Sequence, residues 1–519
     1  MSDETLEPTP EFNITIDNFL SHLQKILPNI KKMKEKALEK IKIIQDFSFP
    51  VPVPDSKEIN SLLQKICEPP HRRIGTPEAH LIEDFIANEF NKAGLEKITK
   101  EPLEITLWSA TNWKFIVSTG EKNIKIPCFY VLNSGFTGPS GITAPLVYVG
   151  KGRPKKFEKI DVKGKIVVGD IDFPAFPYGT LTKNFENYYV SDPTNVINEN
   201  SKTILTFARL NFPPQSLGSK PNKDSIYWQA VEHGAVGIIL ILKNHPSNTN
   251  THWGPYDGVM KPLPGLYVGN YDGIQLREIA RSKNATGTII LKGEQKPGTA
   301  HNIYGILPGK SDEMIMISTH HDSAFKGASE DGTGVAMVLA QLAAWSKIPR
   351  SERPRSILFL ITAGHLYAGI GAETFAKKQR NNLLKKVLVD VNLEHLCAKD
   401  VEEDPVTHNF ILKDELAIGV IFISRKASLL AATIKMCQDH PIENLLLIPD
   451  NFFGTMPIGE AGHLVAQSGV NVIHWIRSPY YLLTAEDTLD KIDVEKLGPT
   501  TKAITDLVGT LMLIPKEEF

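Results

Sequence analysis

Four short segments carry residue types that can hold a metal ion. His320, His321 and Asp322 follow the apolar run 314–319. Glu330 and Asp331 stand in GASEDGTG, residues 327–334, just before a helical pattern. His365 comes soon after the run 356–362, and Glu394 and His395 close the run 386–394. Each position is a strand end, and neighbouring strands would let them converge. Imidazole nitrogens and carboxylate oxygens together suit a divalent metal. Taken singly, each residue also has a plain structural reading, as a hydrogen-bonding group or a helix cap. Glu330 and Asp331 would favour a helix N-terminus even without a metal. The cluster as a whole points to a site.

Such residues need a scaffold, and the pattern from His301 onward supplies one. Strand candidates at 314–319, 356–362, 386–394 and 471–476 alternate with helical stretches, including one from about Ala372 and one near 426–438. That alternation predicts an α/β fold, a mostly parallel sheet with helices on both faces. In such sheets ligands bind at the carboxyl ends of the strands. Upstream, residues 14–47 read as a helix on the stripe Ile14, Ile16, Phe19, Leu20, Leu23, Ile26 and Leu27. Its Lys-rich stretch from 31 to 42 reads as a solvated face. FPVPVP at 49–54 breaks it. A second helix opens at Thr76-Pro77, buries Leu81, Ile82, Phe85, Ile86 and Phe90, and stops at Gly94.

Residues 140–295 differ in texture, with short β-rich runs bounded by glycine. They predict an inserted β-rich domain. The polar, Pro-containing stretch 172–225 reads equally as a lid or as a decorated surface loop. The division expected is an N-terminal helical extension (1–55), an α/β core (56–139 with 296–519) and the insert (140–295).

Composition sets the limits. The chain has 519 residues, 42% hydrophobic and 22% charged, near globular averages. Lys and Arg total 57 against 59 Asp and Glu, a net charge of -2. No basic excess points to nucleic acid or an anionic membrane. The longest apolar runs fall far short of the ~20 residues a membrane helix needs. The first thirty residues lack the apolar core of a secretion signal. Cys67, Cys128, Cys397 and Cys437 are widely spaced, which predicts free thiols and a cytoplasmic setting.

STHHDSAFKGASEDGTGVAMVLAQLA and RPRSILFLITAGHLYAGIGAETFA resemble the zinc exopeptidases of clan MH. That family includes bacterial leucyl aminopeptidases, glutamate carboxypeptidase II and the transferrin receptor. HRRIGTPEAHLIEDFIANEFNKAGL resembles its opening helix, VKGKIVVGD and AVEHGAVGIILI its protease-associated insert, and DTLDKIDVEKL its closing helix. The resemblance covers roughly 60–510. It implies a two-metal site bridged by an aspartate. The metal-binding His of that pattern falls on His320, with Asp322 in support. The bridging carboxylate falls on Glu330 and the next one on Glu394, each a Glu where the family has Asp. The family's Glu-Glu pair falls on His365 and Leu366, and its last His on Leu483.

One metal thus keeps its set, His320, Glu330 and Glu394, while the other loses both private ligands to leucine. The expectation is one divalent ion, zinc by resemblance, with manganese or iron(II) also suited to the carboxylates. His365 stands where the family's base stands and reads as base or as fourth ligand. Asp331, His395, Glu460, His463 and Tyr481 are further candidates for a ligand or substrate role, and core packing is the other account of Tyr481.

The function expected is metal-dependent hydrolysis of a small amide-type or related substrate, not ordinary aminopeptidase action. The alternatives are a non-catalytic relative that binds a ligand or protein, and a metal-dependent hydratase or lyase. The expected partner is a small molecule, with no nucleic acid or membrane, and a homo-oligomer is compatible with this reading.

Overall fold

The computed structural model describes residues 16–519, apart from 121, 174, 185–186, 205–222 and 283. Much of the 172–225 stretch therefore lies outside the described residues, as does Ile14. Helix α1 (Ile16–Ile41) buries Leu23, Ile30 and Ala37, at a seven-residue spacing. It ends short of residue 47. Phe47 instead packs on Trp345, with ring centroids 5.4 Å apart, a long-range contact that local periodicity does not encode. Helix α2 (Ser56–Ile66) starts with a capping box, Asp55 with Glu58. Helix α3 (Pro77–Lys92) is capped by Thr76, which accepts from the Ala79 N–H. Its buried face is Ile82, Phe85, Ile86 and Phe90. Leu81 is 64% exposed, since one residue along a helix turns a side chain about 100° away from that stripe.

Strand β1 (Glu96–Ser118) leads into four parallel strands, β2 (Ile142–Gly150), β3 (Ile166–Asp172), β4 (Gly237–Lys243) and β5 (Gly265–Val268). Strand β6 (Thr286–Leu307) then runs back antiparallel along β1, from Ser118↔Thr286 to Glu96↔Ile306. Residues 295 and 296 both lie inside β6, so the boundary drawn there is a strand and not a linker.

The core follows as β7 (Ser311–His320), α4 (Gly334–Ser346), β8 (Arg355–Thr362), α5 (Ile370–Gln379), β9 (Val387–Glu394), β10 (Gly419–Ile423), α6 (Ala427–Asp439), β11 (Leu445–Pro449), α7 (Glu460–Ser468), β12 (Val472–Arg477) and α8 (Val494–Leu513). Within one continuous sheet these strands run in the order β5-β4-β3-β2-β6-β8-β7-β9-β12-β10-β11, so residues 142–268 and 311–477 share it. The pairs β7–β8, β7–β9 and β9–β12 are parallel. Met314, Ile315, Met316 and Ile317 in β7 are all buried, as a central strand covered on both faces requires. Each such side chain contributes about 1.5–3 kcal/mol. Among the described residues, no helix is long and apolar enough to cross a membrane. The four cysteines are free. Burial pushes the Cys67 and Cys397 thiols up to about 11, and Cys128 and Cys437 to about 12.

Candidate metal centre

The parallel register places the site. His320 ends β7 opposite Thr362 at the end of β8. Glu394 ends β9 opposite Ile476 of β12, and Asn392 stands opposite His474. Their polar ends therefore meet at the carboxyl ends of these central strands. Glu330 arrives from the turn Ala328–Thr333, which precedes α4. Asp487 holds that turn from below. Its carboxylate accepts the N–H groups of Ser329 and Glu330, both at 2.8 Å. Arg72, fully buried, donates to the carbonyls of His321, Lys326, Gly327 and Glu330.

The four groups that converge are His320, Glu330, Glu394 and His395. His320 Nε2 lies 3.5 Å from Glu330 Oε1 and 4.0 Å from Glu394 Oε2. His395 Nε2 lies 2.9 Å from Glu330 Oε2 and 3.9 Å from Glu394 Oε2. His320 Nε2, Glu330 Oε1 and Glu394 Oε2 are buried and lack a hydrogen-bond partner, and the one close contact of His395 Nε2 is with Glu330 Oε2. Leaving such atoms unmatched is costly. His395 Nδ1 faces the Arg477 carbonyl at 2.9 Å, so Nδ1 carries the proton. That fixes Nε2 as the nitrogen turned to the carboxylates. A bare lone pair against carboxylate oxygens is repulsive, so a cation or a proton must sit between them. These donor atoms fit a divalent metal.

His365 lies against His320, with rings stacked and centroids 4.2 Å apart. Its Nδ1 meets Glu460 Oε2 at 2.8 Å, which leaves Nε2 as the free nitrogen. Glu460 also accepts from the Thr362 hydroxyl, and its own N–H donates to Glu394 Oε1 at 2.8 Å. Burial works to lower the His365 pKa, but the hydrogen bond and charge of Glu460, with Glu394 and Glu330, push it up to about 10. His395 is likewise pushed up to about 10, against burial, by Glu330, Asp331 and Glu394. Burial works to raise the Glu394 and Asp322 pKa values. The surrounding histidines win, His474 beside Glu394 and His320 beside Asp322, and hold both carboxyls well below the usual range.

Asp322 accepts the backbone N–H groups of His365 and Leu366 at 3.1 and 2.8 Å. It stands 3.5 Å from His320 Nδ1, which has no hydrogen-bond partner of its own. Asp331 accepts from the Thr319 hydroxyl and from the N–H groups of His395 and Gly334, so it braces the turn. His463 meets the His365 ring edge-on at 6.4 Å. Tyr481 is outside the cluster, its hydroxyl donating to the carbonyls of Lys399 and Lys491. His321 turns away as well, with Nε2 on the His301 carbonyl at 3.0 Å. Leu366 and Leu483 are buried in one apolar cluster with Trp253, Ala324 and Leu482.

Sequence reasoning missed His474, whose Nε2 lies 2.9 Å from Glu394 Oε1. An ionisable residue inside the apolar run NVIHWI was the available signal. It also missed the bracing roles of Arg72 and Asp487, whose motifs were noticed only as helix markers.

Residues 302–433 match the model of peptidase family M28. The resemblance read from the sequence is thereby shown over those residues. A peptidase M28 precursor from Shewanella amazonensis superposes with a TM-score of 0.64 at 18% identity, over 93% of this chain and 96% of that one. A zinc aminopeptidase from Bacillus subtilis gives 0.62 at 16% identity, over 91% and 99%. An aminopeptidase from Aneurinibacillus gives 0.57 at 18%, over 88% and 93%. At these identities the likeness is one of fold, and the fold is that of the zinc aminopeptidases. No curated protein matches the chain.

Proposed function

We propose that this protein is a metal-dependent hydrolase with one divalent ion, acting on a small amide-type substrate. The supporting observation is two overlapping buried triads, His320 with Glu330 and His365, and His320 with Glu394 and His395, in which His320 Nε2, Glu330 Oε1 and Glu394 Oε2 have no hydrogen-bond partner. His320, Glu330 and Glu394 would hold the ion with His395 as fourth ligand, and zinc is the ion named for the Bacillus subtilis relative. Such an ion supplies Lewis acidity toward a carbonyl and makes water more acidic. His365 Nε2 takes a proton from water and returns one to the leaving group. Glu460 holds the His365 ring in place for both transfers. Leu366 and Leu483 make the adjoining space apolar, which supports one ion and not two. The free thiols support a cytoplasmic setting.

Metal analysis of the purified protein tests this reading. Near one equivalent of zinc is expected, lost in His320→Ala. Two equivalents would overturn the single-ion reading. No bound metal under any loading condition would favour a second reading, a non-catalytic relative. The 2.9 Å contact between His395 and Glu330 favours that alternative, because an imidazolium there neutralises the carboxylate unaided.

A further inference from the structure

A cavity of about 240 Å³ opens beside the metal centre, and Asp322 and Leu366 form part of its wall. Trp108, Tyr130 and Trp253 line it together with the aliphatic Ile74, Ile105 and Leu107. Trp108 and Tyr130 lie with ring centroids 5.3 Å apart, and Tyr130 and Trp253 6.1 Å apart. Arg73 reaches the same space. Its guanidinium carbon sits 4.5 Å from the Trp253 ring centre and 5.7 Å from that of Phe325. Its Nε donates to the Ala324 carbonyl at 2.8 Å. Among the described residues, no carboxylate lies within ion-pair distance of Arg73.

Two of the unmatched polar atoms around this cavity are donors. Asn133 Nδ2 and Trp253 Nε1 are buried donors without a partner, and both residues are more than nine-tenths buried. His71 Nδ1 is a third buried nitrogen without one. Asp322 is turned to the N–H groups of His365 and Leu366 and makes no hydrogen bond to these donors. A cation, two orphan donors and flat apolar walls call for an acceptor carried on a flat apolar body. An ammonium group on the Trp253 side would meet the Arg73 charge, while the Asp322 carboxylate lies toward Leu366 with both oxygens on backbone N–H groups.

We propose that this cavity binds a carboxylate-bearing aromatic or similarly flat part of the substrate, with Arg73 as the residue that sets the preference. The proposal rests on the hydrolase reading for its link to turnover, and makes the substrate class small acidic amides, not free-amine peptides. The binding itself needs no metal.

The test uses benzoate, neutral benzamide and cationic benzylamine as probes, titrated calorimetrically into the full-length protein after metal removal by a chelator. Stripping the metal removes direct carboxylate–metal bonding from the signal. Benzoate is expected to bind at least about tenfold tighter than benzamide, with benzylamine weakest. Arg73→Met should bring benzoate and benzamide to parity, and Arg73→Lys should restore part of the gap. Equal binding of benzoate and benzamide by the unaltered protein would overturn the proposal, as would no binding of either. So would an Arg73→Met variant that melts normally and keeps the preference. A protein that prefers benzoate but holds no zinc would sink the hydrolase reading and leave the pocket standing. One that holds zinc but ignores benzoate does the reverse.

Discussion

His365 and Glu460 meet at 2.8 Å, and that contact decides what His365 can do. The carboxylate fixes the ring and, with Glu394 and Glu330, offsets burial to push the imidazole up to about 10. A bound divalent ion would oppose those carboxylates and bring it back toward neutral pH. Glu460→Gln removes one charge and weakens the hydrogen bond, so it should lower the His365 pKa. The acid limb of the turnover profile should then move to lower pH, and a limb that stays in place would assign the titration to another group. His365→Ala should retain the metal yet lose roughly 10²–10⁴ in turnover. Metal loss in that variant would make His365 a ligand instead. His320 and Glu394 were legible because each closes a strand, and Glu330 because it stands in a carboxylate pair just before a helix. His395 was legible only as a candidate, because its role depends on the Arg477 carbonyl, 82 residues away.

At the scale of elements, the turn before α4 carries Glu330 but does not hold itself. Two of its N–H groups rely on Asp487, and its carbonyls on Arg72. Asp487→Ala leaves both N–H groups buried and unmatched, at about 1–3 kcal/mol each. The melting temperature should fall and zinc affinity should fall with it, because Glu330 loses its placement. Equilibrium dialysis with zinc beside a thermal melt checks this, and an unchanged affinity would mean that the turn holds its shape without Asp487. The strands and helices around this turn were readable from periodicity and caps, as at Thr76 and in β7. The brace was not, because Asp487 acts on Glu330 from 157 residues away and nothing local marks it. Leu81 shows the converse limit. An apolar residue one step off the stripe is exposed, and composition alone does not separate it from Ile82.

At the scale of the molecule, one sheet runs through residues 142–268 and 311–477, so stability gained at the metal centre should appear in the unfolding of the chain. The sign of its pH dependence depends on whether metal is present. Without metal, His365 and His395 are held at about 10 in the folded chain, against roughly 6.5 when unfolded. Their pairing with carboxylates therefore contributes full stability below pH 6.5. That contribution is lost as pH rises toward 10. With zinc, the ion must displace protons from the same cluster, so its affinity rises with pH over that window. Zinc at about 1,000 times its dissociation constant stabilises by roughly 4 kcal/mol. Melting curves from pH 6.5 to 9 should therefore diverge, with the chelated protein weakening and the zinc increment growing. Zinc titration in a weakly buffered indicator should also release at least one proton per ion. Parallel curves with no proton release would mean that the histidine–carboxylate cluster closes on itself, the arrangement expected of a relative that has given up its metal.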